Sequence, residues 1–411
     1  MKMDSKLKNW KPLLKIEQRQ LDAIINVLEN EVFNESISLL TSGNTGSAML
    51  FYYYWLYAKD DKYLEKGNSL IMKSFELSGS PNSGLHSLCS GTAGFRWAVN
   101  HLISNGFIEG DCNELFLEDD HFLYSVMERD INEGKYDFLH NALGIGLYFL
   151  NRNNLESIKY VESLITDLEQ TAEKDSNGIK WRAMYKYSET TGKEVYNLSL
   201  SHGMASIIAF LGKTHKSDIA REKTKNLLCR AISYVLSQKL DVPDSGSFFP
   251  SVVFIEKEQP FSGSRLAWCY GDLGLGYALW QASKIIQNAE WEQIALNVLV
   301  HTTTRKDPVK ELVIDAGICH GAAGIAHIYN RLYQHTGMEP FKEAAIYWLE
   351  DTLKKAVFTD GLAGYKAWHT PLHGGWKKQA GLLEGISGIG LVLLAAVSDI
   401  EPKWDECLLL S

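Results

Sequence analysis

A chain of 411 residues, 45% hydrophobic and 22% charged, carries enough apolar surface for a large core. Its formal net charge of −9 and lack of any long Lys/Arg run exclude a nucleic-acid footprint. No apolar stretch approaches the roughly 18 residues of a membrane span. The first residues, MKMDSKLKNWKPLLKIEQRQ, lack the apolar segment of a secretory signal, so the expectation is a cytoplasmic protein without a transmembrane helix. The six cysteines, Cys89, Cys112, Cys229, Cys269, Cys319 and Cys407, are too scattered for a disulfide framework.

In chain order, one pattern recurs: a G-x-x-G turn followed by an apolar run. The copies are SGNTGSAMLFYYYWL from Ser42, SGTAGFRWAV from Ser90 and HNALGIGLYFL from His140. Then come HGMASIIAFL from His202, YGDLGLGYALW from Tyr270, HGAAGIAHIY from His320 and EGISGIGLVLL from Glu384. Asn141 replaces the first glycine in the third copy, and Ser206 replaces the second in the fourth. Seven copies, about 50 to 70 residues apart, signal a repeat architecture. Between them lie segments such as DKYLEKGNSLIMKSFEL and EPFKEAAIYWLEDTLKKAV, whose apolar residues return at three- and four-residue steps.

Each repeat therefore predicts a helical hairpin, one helix apolar nearly all round and one amphipathic. A helix that is apolar all round must be buried on every side. This favours an all-α double ring of about seven inner and seven outer helices over a linear stack. The glycines let backbones crowd at the helix starts. Two stretches, about 177–198 and 240–264, are rich in Pro, Gly, Ser and β-formers. They predict a small β-rich extension beside the ring mouth, flanking the fourth repeat. The whole chain, 1–411, reads as one catalytic domain.

The reactive residues fall on the turns. Cys269 and Cys319 each lie two residues before a turn glycine, and His320 and His202 lie one before theirs. Equivalent repeat positions occupy equivalent heights, so these side chains collect at one end of the ring. Cys269, Cys319 and His320 come from adjacent repeats and offer two thiolates and one imidazole. Such a set suits zinc with an open fourth position; the competing reading is inert packing thiols. Cys89 occupies the same turn position three repeats from Cys269 and reads as a core or rim thiol. His86, His101, His121, His215, His301, His335, His369 and His373 have no matching partner spacing, and most are expected at the surface. Glu384 stands where His320 stands in its own turn, placed to cap a helix start or line a peptide site.

The pieces YDFLHNALGI, NLSLSHGMAS, SRLAWCYGDLG, ICHGAAGI and LLEGISGIG resemble the lanthionine synthetase C-like family, in particular its stand-alone class I lanthipeptide cyclases. They come in the family's order from Asp137 to Gly390, and the earlier glycine turns extend the likeness over nearly the whole chain. The resemblance implies an α/α toroid of two seven-helix layers. It implies one zinc ion on Cys269, Cys319 and His320, and active-site roles for Asp137, His202, Arg265 and Tyr270. Asn141 and Ser206 depart from the family's glycines close to Asp137 and His202.

The implied reaction adds a cysteine thiol to dehydroalanine or dehydrobutyrine within one dehydrated precursor peptide, closing a thioether ring. A dehydratase and a transporter are implied partners, which would bring the chain to a membrane-bound complex. A free thiol with a pKa of about 8.5 is mostly protonated at neutral pH, and zinc removes that proton. On this reading His202 protonates the enolate, Asp137 orients it, and Arg265 or Tyr270 stabilises the oxyanion. Trp268 reads as structural or as a pocket wall. Three other readings compete. A helical-ring glycoside hydrolase would use Asp137 and Glu384 as its carboxylates but leaves the Cys–Cys–His set unexplained. A helical-ring prenyltransferase would want a carboxylate among its zinc ligands. A non-cyclising family member would bind glutathione or a peptide.

Overall fold

The structure is a computed structural model that describes residues 10–13, 19–30, 36–78, 85–186, 192–256 and 263–411. Each of the seven glycine turns opens a helix. These are α2 (Asn44–Ala58), α4 (Thr92–Ser104), α6 (Ala142–Arg152), α8 (Met204–Lys216), α11 (Asp272–Ile285), α13 (Ala322–Thr336) and α15 (Ile386–Val397). The chain order is completed by α1 (Arg19–Asn30), α3 (Asp61–Ser78), α5 (Cys112–Asn132), α7 (Leu155–Thr171) and α9 (Arg221–Ser237). A single turn, α10 (Val242–Ser245), then α12 (Ala289–Thr302) and α14 (Glu339–Lys354) follow. The turn-opened helices are buried on every face over most of their length, Asn44 to Tyr54 of α2 without interruption. The alternate helices bury one stripe, as at Phe341, Ala344, Ala345, Trp348 and Leu349 of α14. That is the division the two hydropathy patterns predict.

The chain divides into two compact units. The first holds Met1–Phe116, Lys306–Leu409 and Ser411; the second holds Leu117–Arg305 and Leu410. Within the first, α2 packs against α3, α4 and α15, and α15 packs against α1 and α13. The first and last repeats are thus direct neighbours, which a linear stack does not allow. Backbone hydrogen bonds join their turns in series. Leu40 N donates to Cys89 O at 2.9 Å, Leu383 N to Leu40 O at 2.7 Å, and Cys319 N to Leu383 O at 2.9 Å. Buried charge ties the C-terminal segment down in this unit. Asp405 accepts from Arg331 Nε at 2.6 Å and Nη2 at 2.8 Å, and lies 2.7 Å from His327 Nε2.

In the second unit α8 packs against α6, α9 and α11, and α11 against α12. The same turn-to-turn bond recurs, Leu200 N donating to Cys269 O at 2.9 Å. In the turn that opens α11, the second glycine is required by close approach. A Cβ on Gly274 would stand 2.1 Å from Trp268 O, a backbone atom that cannot step aside. Trp268 itself is fully buried and structural.

Both β-rich stretches contribute to one antiparallel sheet, ordered β3-β4-β5. Numbered along the chain, β1 (Glu173–Asp175) and β2 (Gly178–Lys180) form a hairpin before it. Strands β3 (Ala183–Lys186), β4 (Gly192–Asn197) and β5 (Val252–Phe254) make the sheet, with Val195 opposite Phe254. Residues 187–191 and 257–262 of these stretches lie outside the described residues. A further hairpin, β6 (Ala367–Trp368) with β7 (Trp376–Lys377), has no counterpart in the sequence reading.

The histidines depart from expectation. His121, His335 and His373 are exposed, but His101 and His215 are buried. His101 Nε2 lies 3.0 Å from the Tyr53 hydroxyl, and His215 Nδ1 lies 3.2 Å from Arg221 O. Both sit in the last turn of an all-buried helix, where a polar ring is tolerated once it is hydrogen-bonded. Cys89 is buried, as a core thiol should be. Among the described residues no helix is long and apolar enough to cross a membrane.

Candidate active site

The residue immediately before each helix N-cap is Ser42, Ser90, His140, His202, Tyr270, His320 and Glu384 in turn. His140, His202, Tyr270, His320 and Glu384 therefore share one register position of the repeat.

In the second unit, Asp137 and His202 meet. Asp137 Oδ1 accepts from the backbone N–H of Leu139 at 2.8 Å and of His140 at 2.9 Å, which pins the carboxylate to its own turn. Its Oδ2 lies 2.6 Å from His202 Nδ1. The His202 backbone is fixed in turn, its N–H donating to Ser199 Oγ at 3.0 Å. Burial pulls the imidazole pKa down, but the Asp137 hydrogen bond, its charge and that of Cys269 hold it above the usual imidazole value. Burial likewise raises Asp137, and the His202 bond with the charges of His202 and His140 holds it below the usual carboxylate range. With Nδ1 engaged by a carboxylate, the pair favours an imidazolium with Nε2–H left for proton transfer.

The two departures from glycine leave this pair intact. Asn141 adopts φ −135°, outside the left-handed region that favours glycine, and its Nδ2 donates to Asp130 Oδ2 at 3.1 Å. Ser206 turns its hydroxyl onto Gly203 O at 2.7 Å.

Tyr270 packs on Val195, Val252 and Phe254 of the small sheet, and its ring centre is 6.1 Å from that of His202. Asn197 Nδ2 donates to its hydroxyl at 3.2 Å. Burial pushes the phenol up to about 12, so it stays protonated. The sheet thus holds a protonated phenol whose ring neighbours the imidazole. Arg265 is half-buried in the loop before Cys269, and its backbone crosses under Gly271. There a Cβ would stand 1.9 Å from Arg265 O and φ is +98°, so only glycine serves. Asp272, the first residue of α11, holds the segment before β5. It is fully buried, accepts from Phe248 N at 2.8 Å and Phe249 N at 3.0 Å, and lies 3.5 Å from Arg305 Nη1.

In the first unit, Cys319 and His320 stand side by side before α13, both partly buried. His320 Nε2 is 3.4 Å from Trp368 O and 3.6 Å from Asp315 Oδ2. Asp315 also accepts from Gly317 N at 3.1 Å and Trp368 N at 2.8 Å. A carbonyl or carboxylate behind one ring nitrogen is how metal-ligating imidazoles are oriented. With Nε2 so placed, Nδ1 would be the ring's ligand atom, and Cys319 is its neighbour in the chain. Nitrogen and thiolate donors of this kind suit zinc. Glu384 carries an ion-pair neighbour in the same unit, His369 Nε2 at 3.6 Å.

Sequence reasoning missed His140, Asp315 and Asp272. His140 was available from register alone, because it precedes its N-cap as His202 and His320 do. Asp315 and Asp272 act on backbone groups brought near by tertiary folding, and no local pattern marks them.

The sequence model of lanthionine synthetase C-like proteins matches residues 38–409. Among solved structures the chain is similar to nisin cyclase, with TM-score 0.75 and 18% identity, covering 96% of this chain and 98% of that one. This likeness shows the fold, an α/α toroid with small sheets. It is also similar to cellobiose 2-epimerase from Spirochaeta thermophila, with TM-score 0.48 and 10% identity over 92% and 94% of the two chains.

Proposed function

Because the chain belongs to the lanthionine synthetase C-like family, we propose that it is a zinc-dependent lanthipeptide cyclase. It joins cysteine thiols of a dehydrated precursor peptide to dehydroalanine or dehydrobutyrine. The observation that carries this reading is the 2.6 Å contact between Asp137 and His202, a fixed proton donor in the same unit as Cys269. One zinc ion would be held by Cys269, Cys319 and His320, and when bound it would keep the incoming thiol deprotonated at neutral pH. Asp315 and the Trp368 carbonyl would fix the His320 ring for that role.

The remaining work falls to the chain's own side chains. Thiolate attack on the β-carbon breaks the alkene π bond and leaves negative charge on the α-carbon and carbonyl oxygen. Tyr270, held protonated, and Arg265 are the hydrogen-bond donors for that oxygen. His202 Nε2–H delivers the proton to the α-carbon, and Asp137 stabilises the imidazolium before transfer. The product has the mass of the substrate and one fewer thiol. Incubation of the zinc-loaded protein with a dehydrated, cysteine-containing precursor should therefore abolish thiol alkylation by mass spectrometry. Unchanged alkylation, with the peptide or glutathione still bound, would favour a non-cyclising binder.

A further inference from the structure

The geometry points to a second metal site, in which Asp137, His140 and His202 take a zinc-like divalent cation. The donor atoms of these three side chains all lie within 4.8 Å of one another. The His140 and His202 rings stand nearly parallel, 5.7 Å apart at 17°. Ligands at about 2.0–2.1 Å from a tetrahedral zinc are about 3.4 Å from each other. Each pair of donor atoms is thus within about 1.4 Å of a binding separation. The Asp137–His202 contact would open slightly, and the distance to His140 would close.

The cluster can make that adjustment. His140 is exposed, so its ring can swing and a cation has a route in. Asp137 is already held by two backbone N–H groups on Oδ1, leaving Oδ2 as the ligand atom. Two imidazoles and one carboxylate suit zinc, copper, nickel or iron and do not suit magnesium or calcium, which want oxygen. Three protein ligands leave room for water, so this site should bind more weakly than one with two thiolates. Occupation would engage the imidazole nitrogen that now faces Asp137 and remove the pair's proton. On the cyclase reading, on which this consequence rests, surplus zinc is then an inhibitor acting at the proton donor.

The test uses metal alone, independent of catalysis. Purified Cys319→Ala protein, with the first site disabled, is titrated with Co²⁺ and Zn²⁺, with Mg²⁺ as control. One equivalent of Co²⁺ is expected to bind with ligand-field absorption but without the thiolate charge-transfer band. Zn²⁺ should displace it and Mg²⁺ should not. Adding His140→Ala should abolish this equivalent while circular dichroism stays unchanged. His140→Gln, which keeps bulk but offers no imidazole, should do the same. Retention of the same cobalt spectrum in both His140 variants would overturn the site, as would no binding in Cys319→Ala alone. Inhibition of cyclisation by surplus zinc in the wild type, relieved in His140→Ala, addresses the consequence. If cyclisation is never observed but the cobalt result holds, the function fails and the site stands.

Discussion

His202 is valuable to catalysis only while protonated, and Asp137 sets how long that lasts as pH rises. Its pKa is raised by the carboxylate against the opposing effect of burial. The acid form therefore persists above the ordinary imidazole value and is lost as pH climbs through the raised value. Cyclisation should show a descending alkaline limb from this group. Asp137→Asn removes the carboxylate's charge, lowers the His202 pKa and should move that limb to lower pH without loss of zinc. His202→Asn should keep zinc content and fold and lose on the order of 10²-fold in rate. Slow protonation by water should scramble configuration at the α-carbon. Wild-type rate with a single stereoisomer in His202→Asn would remove it from the proton-donor role.

At the scale of the element, the glycines of the buried helices divide into those that must be glycine and those that need not be. Gly274 lets the Trp268 carbonyl pass 2.1 Å from where a Cβ would sit. Gly274→Ala must displace backbone, and a loss of about 1–3 kcal/mol or more is expected from urea unfolding. A Cβ on Gly212, within α8, would meet the tip of Ile285 at 3.4 Å and Ala282 at 3.9 Å, ordinary van der Waals distances. Gly212→Ala should be neutral or stabilising, by up to about 1 kcal/mol, because alanine favours the helix. Equal stability changes in the two variants would mean that close approach to Trp268 does not decide the residue at Gly274.

This contrast explains what the sequence could reveal. The turns repeat locally, so spacing alone located all seven buried helices, and β-propensity located the sheet against which Tyr270 packs. The β6–β7 hairpin is two residues per strand, too short for any periodicity. Asp315 meets Trp368 across 53 residues of chain, a pairing created by folding. His101 and His215 were misplaced because their partners, Tyr53 and Arg221, give no signal in spacing.

For the whole molecule, stability and metal binding should separate. The first and last repeats pack directly together, and buried charge secures the C-terminal segment, so the fold is expected to survive loss of zinc. Arg331→Leu would leave Asp405 buried without its cation, a change costing about 3–5 kcal/mol, read as a lowered unfolding midpoint with zinc still bound. The converse holds for the proposed ligands. Cys269→Ala, Cys319→Ala and His320→Ala should each strip most of one tightly bound zinc per chain, because each removes one donor of only three. Their unfolding midpoints, measured against metal-free wild type, should change little. Cys89→Ser supplies the decisive comparison. It occupies the same turn position as Cys269 and Cys319, and its backbone carbonyl joins the same series of turn-to-turn hydrogen bonds. If the repeat register alone made a ligand, Cys89 would qualify. If the ligand set is the one proposed, Cys89→Ser retains the full zinc equivalent and cyclises normally. Loss of zinc in that variant would mean that Cys89 belongs to the coordination sphere and that the open fourth position does not exist.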